Sequence, residues 1–154
     1  MTIRTRISRF VTRAVLEQPA QRRSYDQLIA ALETAGQGIQ ARIAARPDTA
    51  SNRRTLQHII GIERWGQRRL QTALGAPLID DEHDSYRPAG DTLSQLSQSF
   101  QTTRQESIAL ARQLQAQGIA KDTAVRHNQF GAISVGAWLR YLALHASLES
   151  WRIR

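Results

Sequence analysis

The stretch SVGAWLRYLALHASLESW (residues 134–151) decides the fold, because its apolar residues recur at the spacing of a helix. Ser134 stands immediately before the apolar run and is placed to cap its N-terminus. On a helical wheel, one continuous arc is apolar and consists of Trp138, Tyr141, Leu142, Leu144, Leu148 and Trp151. The opposite arc consists of Arg140, Ala143, Ser147 and Ser150. We therefore predict a long final helix that buries the first arc and exposes the second.

Two polar side chains lie within this apolar arc. His145 and Glu149 are four residues apart, which places them one helical turn apart on the same face. A carboxylate on a buried face is costly unless it is paired, protonated or bound to a cation. The spacing suits two ligands of one metal ion, but it also suits a buried hydrogen-bonded pair. A metal ion would need at least one further ligand from another helix.

The helical period continues through most of the remaining chain. Ser24 and Gln27 form a capping box, and Asp91 or Thr92 is placed to cap a later helix. Start and stop signals divide this part of the chain into predicted helices over residues 24–47, 52–74 and 92–118. Residues 119–133 are predicted as a connection, and the short stretch at 131–135 is the one strand candidate. These elements predict an all-α fold, a four-helix bundle with a short extra N-terminal helix.

The N-terminal arm, residues 1–20, differs in charge from the predicted bundle over residues 21–154. The formal net charge is +8, and six arginines against one glutamate in residues 1–23 account for +5 of it. Ile3, Ile7 and Phe10 form an amphipathic stripe, which predicts that the arm packs on the outside of the bundle. Contact of the arm with nucleic acid or an anionic surface is disfavoured, because aromatic and basic residues do not alternate in one segment.

Composition excludes several classes of function. The chain of 154 residues has no cysteine, so disulfides, thiolate metal ligands and a cysteine nucleophile are excluded. No apolar run reaches the length of a membrane span, and Met1 is not followed by a hydrophobic signal core, so we expect a cytoplasmic protein. No glycine-rich phosphate loop and no G-x-S-x-G motif is present.

The best partner for the pair on the final helix is His58 in TLQHIIGIERW (55–65). His58 lies on an apolar stripe that flanks the main stripe of its helix, so it can face a neighbouring helix. Glu63 lies within the main stripe, where the alternative to a site role is a salt bridge inside the bundle. His83 stands among acidic residues in the loop at 80–90, and such loop acids are usually only solvated.

Two of these stretches resemble the DinB/YfiT-like superfamily of four-helix bundles regarded as metalloenzymes. TLQHIIGIE (55–63) is similar to the segment of the second family helix that carries a metal-binding histidine followed by an acid. HNQFGAISVGAWLRYLALHASLE (127–149) is similar to the family's entry into the fourth helix and to that ligand-bearing helix itself. The resemblance covers roughly residues 24–154 and rests on the order and spacing of the stretches together.

The resemblance implies a metal site formed by His58, His145 and Glu149. The family usually presents H-x-x-x-H on its fourth helix, so Glu149 is a departure, although two histidines and a carboxylate still suit zinc, nickel, iron or manganese. By analogy, Glu63, His127 and Asn128 would support the metal or contact substrate, and Arg126 would lie near the mouth of the site. For the loop residues 126–128, capping of helix ends is an equally good alternative.

The resemblance also implies an up-down-down-up bundle and a homodimer. Some family members transfer a low-molecular-weight thiol to an electrophile, and a metal with an open position can lower the pKa of such a thiol. The first functional hypothesis is therefore a metal-dependent enzyme, a thiol transferase or hydrolase acting on a small molecule. The alternative is a metal-free or structurally metallated bundle that binds a ligand or a partner protein.

Overall fold

The computed structural model describes residues 12–154, and these residues are mostly helical with one small sheet. A π-helical turn over Thr12–Glu17 leads into one α-helical turn, α1, over Gln18–Gln21. Pro19 sits in the first turn of α1, where the amide proton that proline lacks is not needed. The predicted stripe of Ile3, Ile7 and Phe10 lies outside the described residues.

Four long helices follow, and all four begin at a side-chain cap. Their bounds are α2 Tyr25–Ala44, α3 Ala50–Gln71, α4 Leu93–Ala116 and α5 Val135–Ser150. The capping box at Ser24 and the cap at Ser134 are confirmed as predicted, and of the two alternatives Asp91 and Thr92 the cap is Thr92, which also forms a capping box. Thr49 caps α3. Each cap satisfies a backbone N–H that the first turn of a helix leaves without a partner.

Two pairs of helices that are consecutive in the chain, α2 with α3 and α4 with α5, are not main packing partners. Helix α2 packs against α4 and α5, and helix α3 packs against the same two helices. Helices α2 and α3 therefore lie across the core from each other, as do α4 and α5. Within residues 12–154, no helix has the length and apolarity needed to cross a bilayer.

A β-hairpin occupies the region predicted as a connection. Strand β1, Ala124–His127, pairs antiparallel with β2, Gly131–Ser134, with Val125 opposite Ile133. The strand candidate at 131–135 is thus confirmed for four residues, whereas β1 was missed. Four residues with two exposed positions give too little alternation to identify a strand from sequence.

The final helix is rotated relative to the prediction. Its buried face contains Ala143 and Ser150, which the sequence placed in solvent, whereas Leu148 and Trp151 are 68% and 64% exposed. Small residues explain the difference, because they let helices approach closely: a Cβ atom on Gly66 of α3 would lie 2.6 Å from a methyl carbon of Leu142. Apolarity alone therefore misidentified which side of α5 faces the core.

The described part of the N-terminal arm is attached to the start of α5. The Glu17 carboxylate accepts hydrogen bonds from the backbone N–H of Ser134 at 2.8 Å and from its hydroxyl at 2.7 Å. The Val15 carbonyl accepts a bond from Arg140 at 2.7 Å. Leu16 and Ala20 are buried in the bundle core. Residues 12–20 are thus in direct contact with the bundle.

Candidate functional site

His58 lies between two other histidines that come from different elements. Its ring centroid is 5.3 Å from that of His145 on α5 and 5.2 Å from that of His83. His83 belongs to a 3₁₀ turn over His83–Tyr86 in the acidic loop. The structure thus brings together the two histidines that the sequence paired, and it adds a third that the sequence discounted.

Two more aromatic residues and the fourth histidine complete a closed circuit of ring contacts. Trp65 lies 6.4 Å from His83 and 5.1 Å from His127 between ring centroids. Tyr141 lies 5.1 Å from His127 and 5.5 Å from His145. We call His58, His83, Trp65, His127, Tyr141 and His145 the histidine circuit. All four histidines of the chain belong to it.

The loop that carries His83 is fixed through the carbonyl oxygen of Asp81. This oxygen accepts hydrogen bonds from Trp65 Nε1 at 3.3 Å, Arg69 Nη2 at 3.0 Å and Asn128 Nδ2 at 3.0 Å. The Asp81 carboxylate also accepts a bond from the Tyr86 hydroxyl. Two elements, α3 and the hairpin turn, therefore hold the backbone two residues before His83, which explains how a loop histidine reaches a helix histidine.

Three of the four histidines are held in the neutral form by burial. Burial, together with repulsion from the neighbouring His58, lowers the pKa of His145 to about 4. Burial and the charge of Arg69 lower the pKa of His127 to about 4, and burial followed by repulsion from His83 lowers the pKa of His58. Neutral imidazole is the form that coordinates metal ions.

Glu149, the third predicted ligand, is in electrostatic contact with these histidines but has another partner. Its negative charge opposes the lowering of the pKa of His58 and of His145. Its carboxylate accepts a hydrogen bond from Arg152 Nη1 at 2.8 Å, and its side chain is 24% exposed. Within residues 12–154, no group of three or more histidine, aspartate or glutamate side chains is arranged to hold a metal ion as it stands.

Glu63 lies on another face of α3 and belongs to a separate polar cluster. Its carboxylate accepts bonds from Arg104 Nε at 2.7 Å, Arg104 Nη2 at 2.9 Å and the Ser107 hydroxyl at 2.8 Å. Arg104 also donates to the Leu32 carbonyl at 2.9 Å. This arrangement is the salt bridge inside the bundle that the sequence left open as the alternative.

The loop residues 126–128 take three different positions. His127 is buried within the histidine circuit, and Asn128 bonds to Arg69, Asp81 and Glu82 beside it. Arg126 forms an exposed ion pair with Asp80 at 3.2 Å. The sequence analysis discounted His83 because acidic residues surround it. The contacts of this loop with Trp65 and Arg69 leave no local sequence pattern from which the position of His83 could have been predicted.

A large surface groove lies away from the histidine circuit. It has a volume of about 1110 Å³ and runs between the N-terminal segment, α2 and α5. Arg22, Arg23 and Arg140 line it together with alanines, and none of the four histidines does. The groove is wide and open, whereas small-molecule sites enclose most of their ligand, so its size does not make it the candidate site.

Comparison of the chain with protein-family models, curated proteins and solved structures finds no match. The chemistry of the histidine circuit therefore has to be inferred from its own side chains.

Proposed function

We propose that the protein binds a divalent metal ion at the histidine circuit and acts on a small molecule there. The observation that carries the proposal is the spacing of His83 and His145 on either side of His58. A zinc ion lies about 2.0–2.1 Å from an imidazole nitrogen and so about 3.2 Å from the ring centre, which puts two rings at a tetrahedral angle about 5.2 Å apart. The observed centroid distances of 5.2 and 5.3 Å match this spacing.

The proposed ligand set is His58, His145 and Glu149, with His83 as the additional imidazole. Binding requires side-chain rotation, above all of Glu149 away from Arg152. Nitrogen and carboxylate donors without thiolate suit zinc, nickel, iron or manganese. The bound cation would supply Lewis acidity that lowers the pKa of a low-molecular-weight thiol, the chemistry of a thiol transferase. The neutral histidines would hold the cation, and buried Trp65 would shield one side of the site from water.

The helix arrangement supports a DinB-like up-down-down-up bundle, which we propose as the topology. Gln40 of α2 bonds to Ser97 of α4, whereas the earlier Glu33 bonds to the later Arg112, so these helices run in opposite directions. The hydrogen bonds between α3 and α4 join earlier residues to earlier ones and later residues to later ones, so these two helices run in the same direction. The contacts between α3 and α5 join earlier residues to later ones, so these two helices run in opposite directions.

Elemental analysis of protein purified without a histidine tag tests the metal proposal. We expect close to one divalent metal ion per chain in the wild type, either as purified or after reconstitution, and substantially less in His58→Ala. The matched control is His127→Phe, which changes a histidine of the circuit that is not a proposed ligand. Absence of metal from reconstituted wild-type protein would overturn the proposal.

The ion pair of Glu149 with Arg152 favours a second candidate function. If no metal binds, pairing with an arginine is one way to satisfy a carboxylate beside two neutral histidines. The protein would then be a ligand-binding or partner-binding bundle. A homodimer remains part of both proposals, because the exposed Leu148 and Trp151 offer an apolar surface. Light scattering at micromolar concentration should give twice the chain mass of 17.3 kDa, and a monomer would contradict the dimer.

A further inference from the structure

Arg69 is a buried cation, and three of its five N–H donors are unused among the described residues. It is 1% exposed, and its Nη2 contacts the Asp81 carbonyl at 3.0 Å and the Asn128 side-chain oxygen at 3.1 Å. Its Nε and Nη1 are buried and have no hydrogen-bond partner among the described residues. Its ion pair with the Asp81 carboxylate is long, at 3.4 Å, and Asp81 is shared with the Tyr86 hydroxyl.

His127 presents a second unused donor. Its Nδ1 accepts hydrogen bonds from the backbone N–H groups of Gln129 at 3.1 Å and Phe130 at 3.3 Å. In the neutral ring the proton must therefore be on Nε2. The residue is 3% exposed, and Nε2 has no partner within residues 12–154.

The two unused donors belong to one neighbourhood. The Arg69 guanidinium carbon is 5.0 Å from the Trp65 ring centroid, and the His127 ring is 5.1 Å from it. The charge of Arg69 contributes to lowering the pKa of His127, which also requires the two groups to be close. Trp65 in turn contacts His83 of the proposed metal site.

An anionic acceptor would satisfy both the hydrogen bonds and the charge. A buried donor without a partner lowers the stability of the fold, and the cost is greater when the group is charged. Water could accept the hydrogen bonds but would not compensate the positive charge of a buried guanidinium. Charge-assisted bonds to an oxyanion do both, and arginine is well suited to carboxylates and phosphates.

We propose that Arg69 and His127 bind the anionic group of the small-molecule substrate, a carboxylate or another small oxyanion, beside Trp65. The identification of this ligand as the substrate rests on the proposed function, whereas the anion site itself does not. The substrate class is then an organic acid whose reacting end reaches the proposed metal site, since Trp65 also contacts His83 of that site.

Acetate and phosphate are the probes that test the site. Each is compared with chloride at matched ionic strength and without added metal. We expect acetate or phosphate to raise the thermal midpoint saturably and to shift the His127 Nε2–H resonance in ¹H–¹⁵N spectra. His127→Phe keeps an aromatic ring and should weaken this response at least 10-fold. Arg69→Met should do the same, and Arg68→Met, which alters an exposed arginine on the same helix, should leave it unchanged.

The outcomes distinguish a built anion site from internal water and from a loosely held ion. No saturable response of the wild type to acetate or phosphate would mean that internal water satisfies the donors, and would overturn the site. If His127→Phe and Arg69→Met respond to these anions as strongly as the wild type, the response reports an adventitious ion only, and this result would also overturn the site. Because Arg69 also holds the Asp81 loop, His127→Phe decides if Arg69→Met fails to fold.

A further variant separates this site from the proposed function. His58→Ala should retain the response to acetate although it loses metal. A wild type that responds to acetate but binds no metal would remove the proposed function and leave the anion site.

Discussion

Helix α3 carries two polar clusters on different faces, and they differ in how completely they are satisfied. On one face, Glu63 and Arg104 are nearly inaccessible, and both carboxylate oxygens accept short bonds, between 2.7 and 2.9 Å. On the other face, Arg69 and His127 are equally buried but leave three nitrogen atoms without partners among the described residues. Both clusters carry the desolvation cost of buried polar groups, but only the first offsets it with its own side chains.

The difference separates a structural polar cluster from a candidate site. A fully paired cluster has no remaining capacity to bind, so its role is to fix how α3 packs against α4. A cluster with unused donors and neutral histidines can still bind a ligand, and its unsatisfied donors lower the stability of the fold when no ligand is bound. Substitutions in each cluster test this contrast, and the largest effect is expected in the structural cluster.

The structural cluster should be the more sensitive to removal of one partner. Glu63→Ala leaves the Arg104 guanidinium buried with only the Leu32 carbonyl to accept from it, so we expect a loss of about 3–5 kcal/mol in unfolding free energy. Urea denaturation measures the loss. The double variant Glu63→Leu with Arg104→Met should recover most of it, because no isolated charge remains. A loss below about 1 kcal/mol in Glu63→Ala would show that water or a neighbour replaces the carboxylate.

In the candidate site, a substitution should change metal affinity strongly and stability only slightly. His58→Ala should weaken metal affinity by at least about 100-fold, the upper end of what loss of a supporting group costs. Its unfolding midpoint without metal should change little, because His58 is only half-buried and its neutral ring makes no hydrogen bond that the described residues depend on. Titration calorimetry with zinc and urea denaturation of the same preparations measure both quantities. A large loss of stability with unchanged metal affinity would make His58 a packing residue.

The contrast between the clusters also explains what sequence could predict. Helix starts depend on single side chains and their near neighbours, so Ser24 and Ser134 were identified as caps, and Thr92 was one of two neighbouring candidates. The orientation of α5 depends on how closely helices approach, and Ala143, Ala146 and Gly66 set that distance. Hydrophobicity patterns do not report close approach, so Leu148 and Trp151 were placed in the core incorrectly.

The candidate site was predictable only in its helical part. His58 and His145 lie on amphipathic helices, and their periodicity predicts that they face neighbouring elements. His83 is placed by long-range bonds to the Asp81 carbonyl from α3 and from the hairpin turn, and such tertiary contacts leave no local pattern. Glu63 lies in the same kind of apolar stripe as the histidines, and only the position of Arg104 in space assigns it to the other cluster.

The buried histidines of the histidine circuit should make the unfolding free energy depend on pH in a specific window. The pKa values of His127 and His145 are about 4 in the folded state, against an ordinary histidine pKa of 6.5 in the unfolded chain. The unfolded chain therefore binds more protons between these values, so stability is complete above pH 6.5 and is lost as the pH falls towards 4. The slope should approach about 1.4 kcal/mol per pH unit for each histidine.

Urea denaturation of metal-free protein across this window measures the slope. His127→Phe and His145→Phe should each reduce it, and comparison with the wild type cancels the contribution of carboxylates that titrate near the lower end of the window. The same slope in all three proteins would show that these histidines are as solvated in the folded state as in the unfolded chain.

The smallest expected effect on stability concerns Glu149, and it decides whether this carboxylate is a metal ligand. Its ion pair with Arg152 is largely solvent-accessible on the arginine side, at 69% exposure, so Arg152→Gln should change the unfolding free energy by less than about 1 kcal/mol. If Glu149 is a metal ligand, freeing it from Arg152 should strengthen zinc binding, on the order of threefold, because no competing ion pair must be broken.

The complementary variants act on the carboxylate itself. Glu149→Gln should weaken zinc binding, since an amide is a poorer ligand, whereas Glu149→His should preserve or tighten it by supplying the ligand usual in the resembled family. Zinc affinity that is identical in Arg152→Gln, Glu149→Gln and the wild type would show that Glu149 serves only the ion pair. The metal would then be held by histidines alone, and the carboxylate would belong with Glu63 among the groups that this chain satisfies with its own arginines.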